Sequence, residues 1–146
     1  MIAVLQRVNE AKVEVEGKVV GQIGKGLVLL LGAKMGDTDE DVRYLADKCV
    51  NLRIFEDEEG KMNLSVLEIQ GEILVISQFT LYGDTSKGRR PSFTGALEPN
   101  EAEKLYLKFV DFIREKGLKT EKGIFGAKML VKIYNWGPVT FILESK

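Results

Sequence analysis

The chain has 146 residues, with 45% hydrophobic and 29% charged residues, a formal net charge of −1 and no histidine. This length suits one domain with its own core, and the composition is that of a soluble globular protein. No apolar run approaches the roughly 18 residues that a membrane span requires.

The amino-terminal sequence MIAVLQRVNEAKVEVEG does not predict a signal peptide, because it lacks a basic region followed by a long apolar block and a cleavage site. The single cysteine cannot form an internal disulfide. Together these features predict a cytoplasmic protein.

The absence of histidine excludes a Ser-His-Asp triad, a Cys-His pair, and zinc or iron sites that rely on imidazole. We therefore expect no metal and no cofactor. An enzyme with this sequence must use hydroxyls, backbone N–H groups, carboxylates, lysine, or groups of the substrate itself.

The first third of the chain predicts strands followed by a helix. Residues 2–8 and 11–23 have strand patterns, the second with a hairpin turn at Gly17, and the apolar run 26–33 predicts a strand buried on both faces. A helix is predicted over 38–52, with Thr38 as its cap and acids in its first turn.

On the apolar face of this helix, Cys49 is expected to be a small core residue, since nothing basic marks it as an activated thiol.

The rest of the chain predicts more strands and a second helix. Residues 53–66 indicate two strands joined by a turn at Glu59-Gly60, and 72–83 carries the strongest strand pattern. A helix is predicted from about 99 to 116, with Pro99 in its first turn and Gly117 after its end. Residues 123–135 and VTFILES at the end of the chain are predicted strands.

Many strands and two helices without regular βαβ alternation predict an α+β fold. We expect a β-barrel-like, curled sheet of mixed or antiparallel strands, with the two helices packed outside it. Residues 1–146 are expected to form one domain.

Polar side chains lie near the end of the apolar segment 73–81. A strand there would place Gln78 and Thr80 on one face, and Ser77 and Phe79 on the other. A buried polar group without a partner costs about 1–3 kcal/mol. These groups therefore either bond to neighbouring backbone or solvent, or form a pocket floor whose N–H groups and amide hold a carbonyl or an oxyanion.

A Gly137-Pro138 pair interrupts the apolar segment IYNWGPVTF (133–141). Proline removes a ladder hydrogen bond and is confined to sheet edges or bulges. The pair is therefore either an ordinary turn or a rigid piece of backbone that contacts a ligand.

The segment SKGRRPS (86–92) holds Lys87, Arg89 and Arg90 with no acid between them. It is either a solvated basic loop or a contact for phosphate groups.

Several of these segments, correctly spaced, closely resemble the D-aminoacyl-tRNA deacylase family. The two strongest matches are SQFTLYGD (77–84), followed by RRPSF (89–93), and NWGPVTF (135–141). Further matches extend over nearly the whole chain: MIAVLQRV (1–8), EGKMNLSV (59–66) and GIFGAKMLVKIYN (123–135).

The resemblance implies a homodimeric editing enzyme that binds tRNA and hydrolyses the ester of D-aminoacyl-tRNA, as well as glycyl-tRNA mischarged on alanine tRNA. In this family the Gly-Pro bond is cis and reaches from one subunit into the active site of its partner. Gly137 and Pro138 would then exclude an L side chain, opposite a catalytic segment formed by Ser77–Thr80.

The resemblance also implies that the 2′-hydroxyl of the tRNA assists hydrolysis, while N–H groups near Phe79 and Thr80 stabilise the oxyanion. An older view of the family makes Thr80 the nucleophile, but no base to activate it is visible in the sequence. Supporting roles fall on Phe125 and Met129 in the adenosine pocket, on Arg7 behind the Gly-Pro segment, and on Lys87, Arg89 and Arg90 at tRNA phosphates.

Two positions depart from the family pattern. Trp136 stands where aspartate usually precedes Gly-Pro, and Gly126 stands where alanine is usual. Because Gly137-Pro138-Val139-Thr140 is intact, we expect the usual chirality.

Two other functions are compatible with the sequence. The chain could be a dimeric tRNA-binding module of the same fold without turnover. A protease or small-molecule esterase with a Thr or Ser nucleophile is disfavoured, because it would need a general base.

Overall fold

The computed structural model describes residues 1–146. Its strands are β1 (Ile2–Val15), β2 (Lys18–Ile23), β3 (Gly26–Gly32), β4 (Phe55–Glu56), β5 (Met62–Leu64), β6 (Glu72–Ser77), β7 (Thr120–Lys122) and β8 (Leu130–Glu144). Its helices are α1 (Asp39–Asn51), α2 (Pro99–Glu115) and a 3₁₀ helix at Phe79–Tyr82. Neither α-helix is long and apolar enough to cross a membrane.

Six strands form one mixed, curled sheet in the order β2-β1-β3-β6-β7, with β8 on the other edge of β1. The long strand β1 pairs with β3 through its first half and with β2 through its second half. β3, β6 and β7 are parallel to one another. The curl brings β2 close to β7, since a Cβ at Gly21 would lie 2.8 Å from the carbonyl oxygen of Lys122. The prediction of a barrel-like sheet with two helices outside is confirmed.

The core has two parts, one on each face of the sheet. The larger cluster joins the sheet to both helices, and the smaller cluster, made only of strand residues, fills the inside of the curl. In β3, Leu27, Leu29 and Leu31 belong to the first cluster and Val28 to the second. This confirms the prediction of a strand buried on both faces.

The two predicted helices are confirmed within a residue or two of their ends. The carboxylate of Asp41 accepts a hydrogen bond from the Thr38 backbone nitrogen at 2.8 Å, which lowers the pKa of Asp41. Cys49 is fully buried, and this burial raises the pKa of its thiol to about 12, so the prediction of a core cysteine is confirmed.

The predicted strand ends require three corrections. The predicted strand 2–8 and the first half of 11–23 form one continuous strand, because β8 pairs along nearly all of β1. The two predicted strands near the carboxyl end are the single strand β8, and residues 123–129 before it are irregular. The short strand β7 was not predicted, because its sequence, TEK, has no apolar residue.

The predicted strand 72–83 is wrong beyond Ser77. β7 pairs with β6 only as far as Val75, and β3 only as far as Ser77, so the chain has no ladder partner after that point. It turns into the 3₁₀ helix Phe79–Tyr82. The predicted alternation of side chains from Ser77 to Thr80 across two strand faces is therefore also wrong.

Candidate active site

A cavity of about 630 Å³ opens where the parallel strands β3 and β6 end. The carboxyl ends of parallel strands are a common place for ligand sites. The first turns of α2 and the irregular segment 124–129 complete its walls, and fourteen of its nineteen lining residues are hydrophobic. The lining includes Leu31, Ala33, Ile76, Ser77, Gln78, Phe79, Phe93, Pro99, Ala102, Tyr106, Phe125, Ala127 and Met129. Such a lining suits an organic group with few polar atoms.

The polar residues after β6 lie at the edge of this cavity. The Gln78 backbone nitrogen donates to the Leu31 carbonyl at 2.8 Å, which fixes the point where the strand ends. Ser77, Gln78 and Phe79 line the cavity, whereas Thr80 is exposed beside it. The Gln78 side-chain amide donates a hydrogen bond to the Thr80 hydroxyl.

The 3₁₀ helix makes two backbone amides available near Ser77. The first hydrogen bond of this turn runs from the Leu81 nitrogen to the Gln78 carbonyl at 3.2 Å. The amides of Phe79 and Thr80 precede it and so have no partner within the turn. Paired N–H groups of this kind can stabilise negative charge on an oxygen.

The cavity offers no side chain suited to act as a general base. Its one carboxylate, Glu98, caps α2 by accepting from the Glu101 nitrogen at 2.7 Å. The Tyr106 hydroxyl donates to the Val75 carbonyl at 2.8 Å, and burial raises the pKa of Tyr106 well above its usual value. A hydroxyl nucleophile at Thr80 would therefore lack an activating partner.

Phe125 and Met129 both line the cavity, in the irregular segment that precedes β8. Phe125 packs on Tyr106, with ring centroids 5.9 Å apart. Both side chains are half-buried.

The Gly137-Pro138 pair lies in a protrusion of β8. The β1–β8 ladder pairs Gln6 with Thr140 and Val8 with Asn135, so residues 136–139 bulge out opposite one residue of β1. The bulge is closed at its base, where the Asn135 side chain accepts from the Val139 nitrogen and donates to the Thr140 hydroxyl, both at 3.0 Å. The Gly137-Pro138 bond is cis.

Arg7 is the residue of β1 that faces this bulge, and it is only 4% exposed. Its Nε donates to the Trp136 carbonyl at 3.0 Å, and its Nη1 donates to the Ile54 carbonyl at 2.9 Å. The guanidinium therefore ties the bulge to the body of the protein.

Not all of the predicted site residues come together within one chain. Arg7, Gly137 and Pro138 do not line the cavity. Lys87, Arg89 and Arg90 lie on an exposed loop that leaves the cavity rim, closed at its base by two backbone hydrogen bonds between Asp84 and Ser92.

Sequence reasoning missed several lining residues, notably Phe93, Ala102 and Tyr106. Phe93 ends the RRPSF match and could have been found from it. Ala102 and Tyr106 are four residues apart on the apolar face of α2, and nothing in their pattern distinguishes a cavity wall from ordinary core.

Comparisons with known proteins agree on one family. The family model for D-Tyr-tRNA(Tyr) deacylase matches residues 4–144. A protein from Aquifex aeolicus named D-aminoacyl-tRNA deacylase is 62% identical over 146 residues, covering 100% of this chain and 99% of its own length.

Two solved structures share the fold. One, titled c-Myc DNA Unwinding Element Binding Protein, has a TM-score of 0.94 and 43% identity, covering 100% of this chain and 99% of that chain. The other, titled a probable eukaryotic D-amino acid tRNA deacylase, has a TM-score of 0.83 and 21% identity, covering 98% of each chain. These matches define an α+β protein of the deacylase fold. The chain belongs to the D-Tyr-tRNA(Tyr) deacylase family.

Replacing Arg7 by methionine should loosen the bulge, because two carbonyls lose their shared donor. We expect the free energy of unfolding to fall by about 2–4 kcal/mol. Trp136 is the only tryptophan and is 55% exposed, so its fluorescence anisotropy should fall and its quenching by acrylamide should rise.

Arg53→Met is the matched control, since the exposed Arg53 also donates to a carbonyl, that of Asn63 at 2.9 Å, which is not part of the bulge. Unchanged tryptophan anisotropy in Arg7→Met would show that the bulge is rigid without the guanidinium.

Proposed function

We propose that the protein hydrolyses the ester between a D-amino acid and the 3′ end of tRNA, and also glycyl-tRNA mischarged on alanine tRNA, while sparing L-aminoacyl-tRNA. The observation that carries this proposal is an apolar cavity edged by Ser77, Gln78 and Phe79 in a member of this deacylase family. The cavity would hold the terminal adenosine, with Phe125 and Met129 against its base.

The reaction would depend on a group of the substrate. The cavity presents no side chain to activate water or Thr80, as described above. The tRNA 2′-hydroxyl next to the ester would assist the attack on the carbonyl instead. The N–H groups of Phe79 and Thr80 would stabilise the oxyanion, and the Gln78–Thr80 hydrogen bond would keep this segment oriented.

Chirality would be selected by exclusion. The bulge is held by Arg7 and Asn135, and its tip, Gly137 and Pro138, is exposed. If this backbone lies beside the α-carbon of the bound aminoacyl group, an L side chain collides with it, whereas a D side chain points elsewhere and glycine has none. No pocket for a particular side chain is needed, so many D-amino acids would be accepted.

This arrangement would require a homodimer, in which each bulge enters the cavity of the partner subunit. Within one chain the bulge and the cavity are separate. Large apolar side chains around the bulge are exposed in the single chain, which is typical of a surface that another subunit covers. They are Tyr134, Trp136, Phe141 and Ile142.

Lys87, Arg89 and Arg90 would contact tRNA phosphates, because they lie on an exposed loop that starts at the cavity rim. Editing of tRNA takes place where translation occurs, so we place the protein in the cytoplasm. We also propose that residues 1–146 act as one domain.

The alternative function, a dimeric tRNA-binding module without turnover, would use the same surfaces. It differs in one measurable property, which is the release of the amino acid.

D-tyrosyl-tRNA should be deacylated rapidly, and L-tyrosyl-tRNA should remain at its uncatalysed rate, when both are incubated with the protein and the remaining ester is measured. A D-tyrosyl-tRNA whose 2′-hydroxyl is replaced by hydrogen should bind but turn over at least about 100-fold more slowly. Release of neither isomer would leave the binding module as the function. Unchanged turnover of the deoxy substrate would exclude assistance by the 2′-hydroxyl.

Thr80→Ala should retain at least about a tenth of the wild-type kcat if Thr80 only orients the segment, whereas loss of a nucleophile typically costs 10⁴-fold or more. Thr94→Ala, at a second exposed threonine just after the basic loop, is the control. Single-turnover deacylation of D-tyrosyl-tRNA measures both. A kcat at background level in Thr80→Ala, with the fold intact by circular dichroism, would make Thr80 the nucleophile.

Mixing two inactive variants should restore activity if each site takes its filter from the partner. Gly137→Val should distort the bulge and crowd the partner's cavity, which lowers activity on D substrates, since a Cβ there would lie 2.7 Å from the Val139 side chain and φ is +130°. Ala127→Trp should fill the cavity. Random reassociation gives half mixed dimers with one intact site each, and so about a quarter of wild-type activity.

No recovery in mixed dimers, verified by two affinity tags, would show that each chain supplies its own filter. The two variants kept apart are the controls, and each should stay inactive.

A further inference from the structure

Two aromatic rings at the cavity rim are exposed although they are large and apolar. Phe79 is 56% exposed and Phe93 is 39% exposed. Their ring centroids are 5.1 Å apart at an interplanar angle of 64°, an edge-to-face pair. Both residues line the cavity, and their exposure leaves ring surface open to solvent at its rim.

Phe93 is held in place by its backbone and by a neighbouring glycine. The backbones of Asp84 and Ser92 exchange two hydrogen bonds of 2.7 and 2.9 Å immediately before it. The Phe93 ring also covers Gly83, where a Cβ would come within 2.9 Å of the ring. The ring is therefore a fixed surface and not a free side chain on a loop.

The loop closed by the Asp84–Ser92 pair carries a concentrated positive charge. Lys87, Arg89 and Arg90 are exposed, and the segment 85–97 contains no acid. The carboxylate of Asp84 is engaged at the base of the loop, where it accepts from the Ser86 nitrogen at 2.9 Å. This bonding with Ser86 lowers the pKa of Asp84.

An aromatic surface next to a cluster of cations is the combination by which proteins bind single-stranded nucleic acid. Bases stack on the rings, and the cations follow the phosphates. A paired base cannot stack in this way, because both of its faces are already covered within the helix.

We propose that the rim formed by Phe79, Phe93 and the basic loop binds the unpaired nucleotides that immediately precede the terminal adenosine of the substrate. This proposal rests on the proposed function, which puts the terminal adenosine in the cavity. One preceding base stacks on Phe93, and the phosphates on either side run toward Lys87, Arg89 and Arg90. Stacking and phosphate contact do not read sequence, so the rim adds affinity without choosing among tRNAs.

Three substrates of increasing length separate the rim from the cavity: D-tyrosyl-adenosine, the D-tyrosyl ester of the trinucleotide cytidine-cytidine-adenosine, and D-tyrosyl-tRNA. We expect kcat/KM to rise about tenfold or more from the nucleoside to the trinucleotide, the gain typical of one stacked base and its phosphates. The ratio of kcat/KM for the trinucleotide ester to that for the nucleoside ester should fall close to one in Phe93→Ala and be retained in Phe93→Tyr.

The triple variant Lys87→Ala, Arg89→Ala, Arg90→Ala should weaken the dependence of the trinucleotide ratio on salt. The trinucleotide carries two phosphates, and two contacts to a single strand correspond to a slope of about −1.4 in log kcat/KM against log salt. Matched controls are Tyr44→Ala, another partly exposed aromatic residue, and the triple variant Lys18→Ala, Lys25→Ala, Lys48→Ala, exposed lysines on other elements.

A direct binding measurement tests the rim even if a variant no longer hydrolyses its substrate. Unesterified trinucleotide should bind about tenfold more tightly than adenosine in calorimetric titration, and Phe93→Ala should remove the difference. Equal affinity for the two ligands would overturn the rim site. Equal hydrolysis of the nucleoside and trinucleotide esters would overturn it too, while leaving the proposed function intact. Failure to hydrolyse any D ester would instead refute the proposed function.

Discussion

The buried guanidinium of Arg7 is the contact on which the geometry of the candidate site depends. It lies in the ladder where one residue of β1 faces four residues of β8, and its two hydrogen bonds join the carbonyls of Trp136 and Ile54. Without this contact the bulge would be held only at its base, by the Asn135 side chain, since it has lost the ladder bonds on that edge. A buried charge without a carboxylate partner is costly, and carbonyl oxygens from two segments compensate it here. The bulge and the charge therefore stabilise each other.

A second constraint, the end of strand pairing, produces the cavity. β6 has parallel neighbours on both sides, but β7 stops pairing at Val75 and β3 at Ser77. Beyond that point the chain turns into the 3₁₀ helix, whose first two amides have no partner within the turn, beside an apolar space bordered by α2. The apolar walls and the unpaired backbone donors thus arise from the same feature. β6 extends beyond the end of β7 and stops where its pairing with β3 stops.

Elements whose hydrophobic periodicity is clear could be predicted from the sequence. Strand ends could not, because they depend on which neighbouring strands continue to pair. Both helices and the two-faced burial of β3 follow from local sequence patterns, which can be recognised without knowing the neighbouring segments. The end of β6 at Ser77 does not, because Gln78–Leu81 has the composition of a strand and stops being one only for lack of neighbours. The Ser77–Phe79 edge could be located by its unusual polarity, whereas Ala102 and Tyr106 resemble core residues until the cavity beside them is known.

The absence of histidine and the rigidity of the bulge have a common consequence. An enzyme that carries its own base must position that base against every substrate. In the proposed function the chain would offer backbone donors on one side and a fixed backbone obstacle on the other, and neither would depend on the identity of the amino acid. Recognition would then fall on what all substrates share, the terminal adenosine and the nucleotides before it. Apolar cavity walls, exposed rim phenylalanines and a basic loop are suited to that common part.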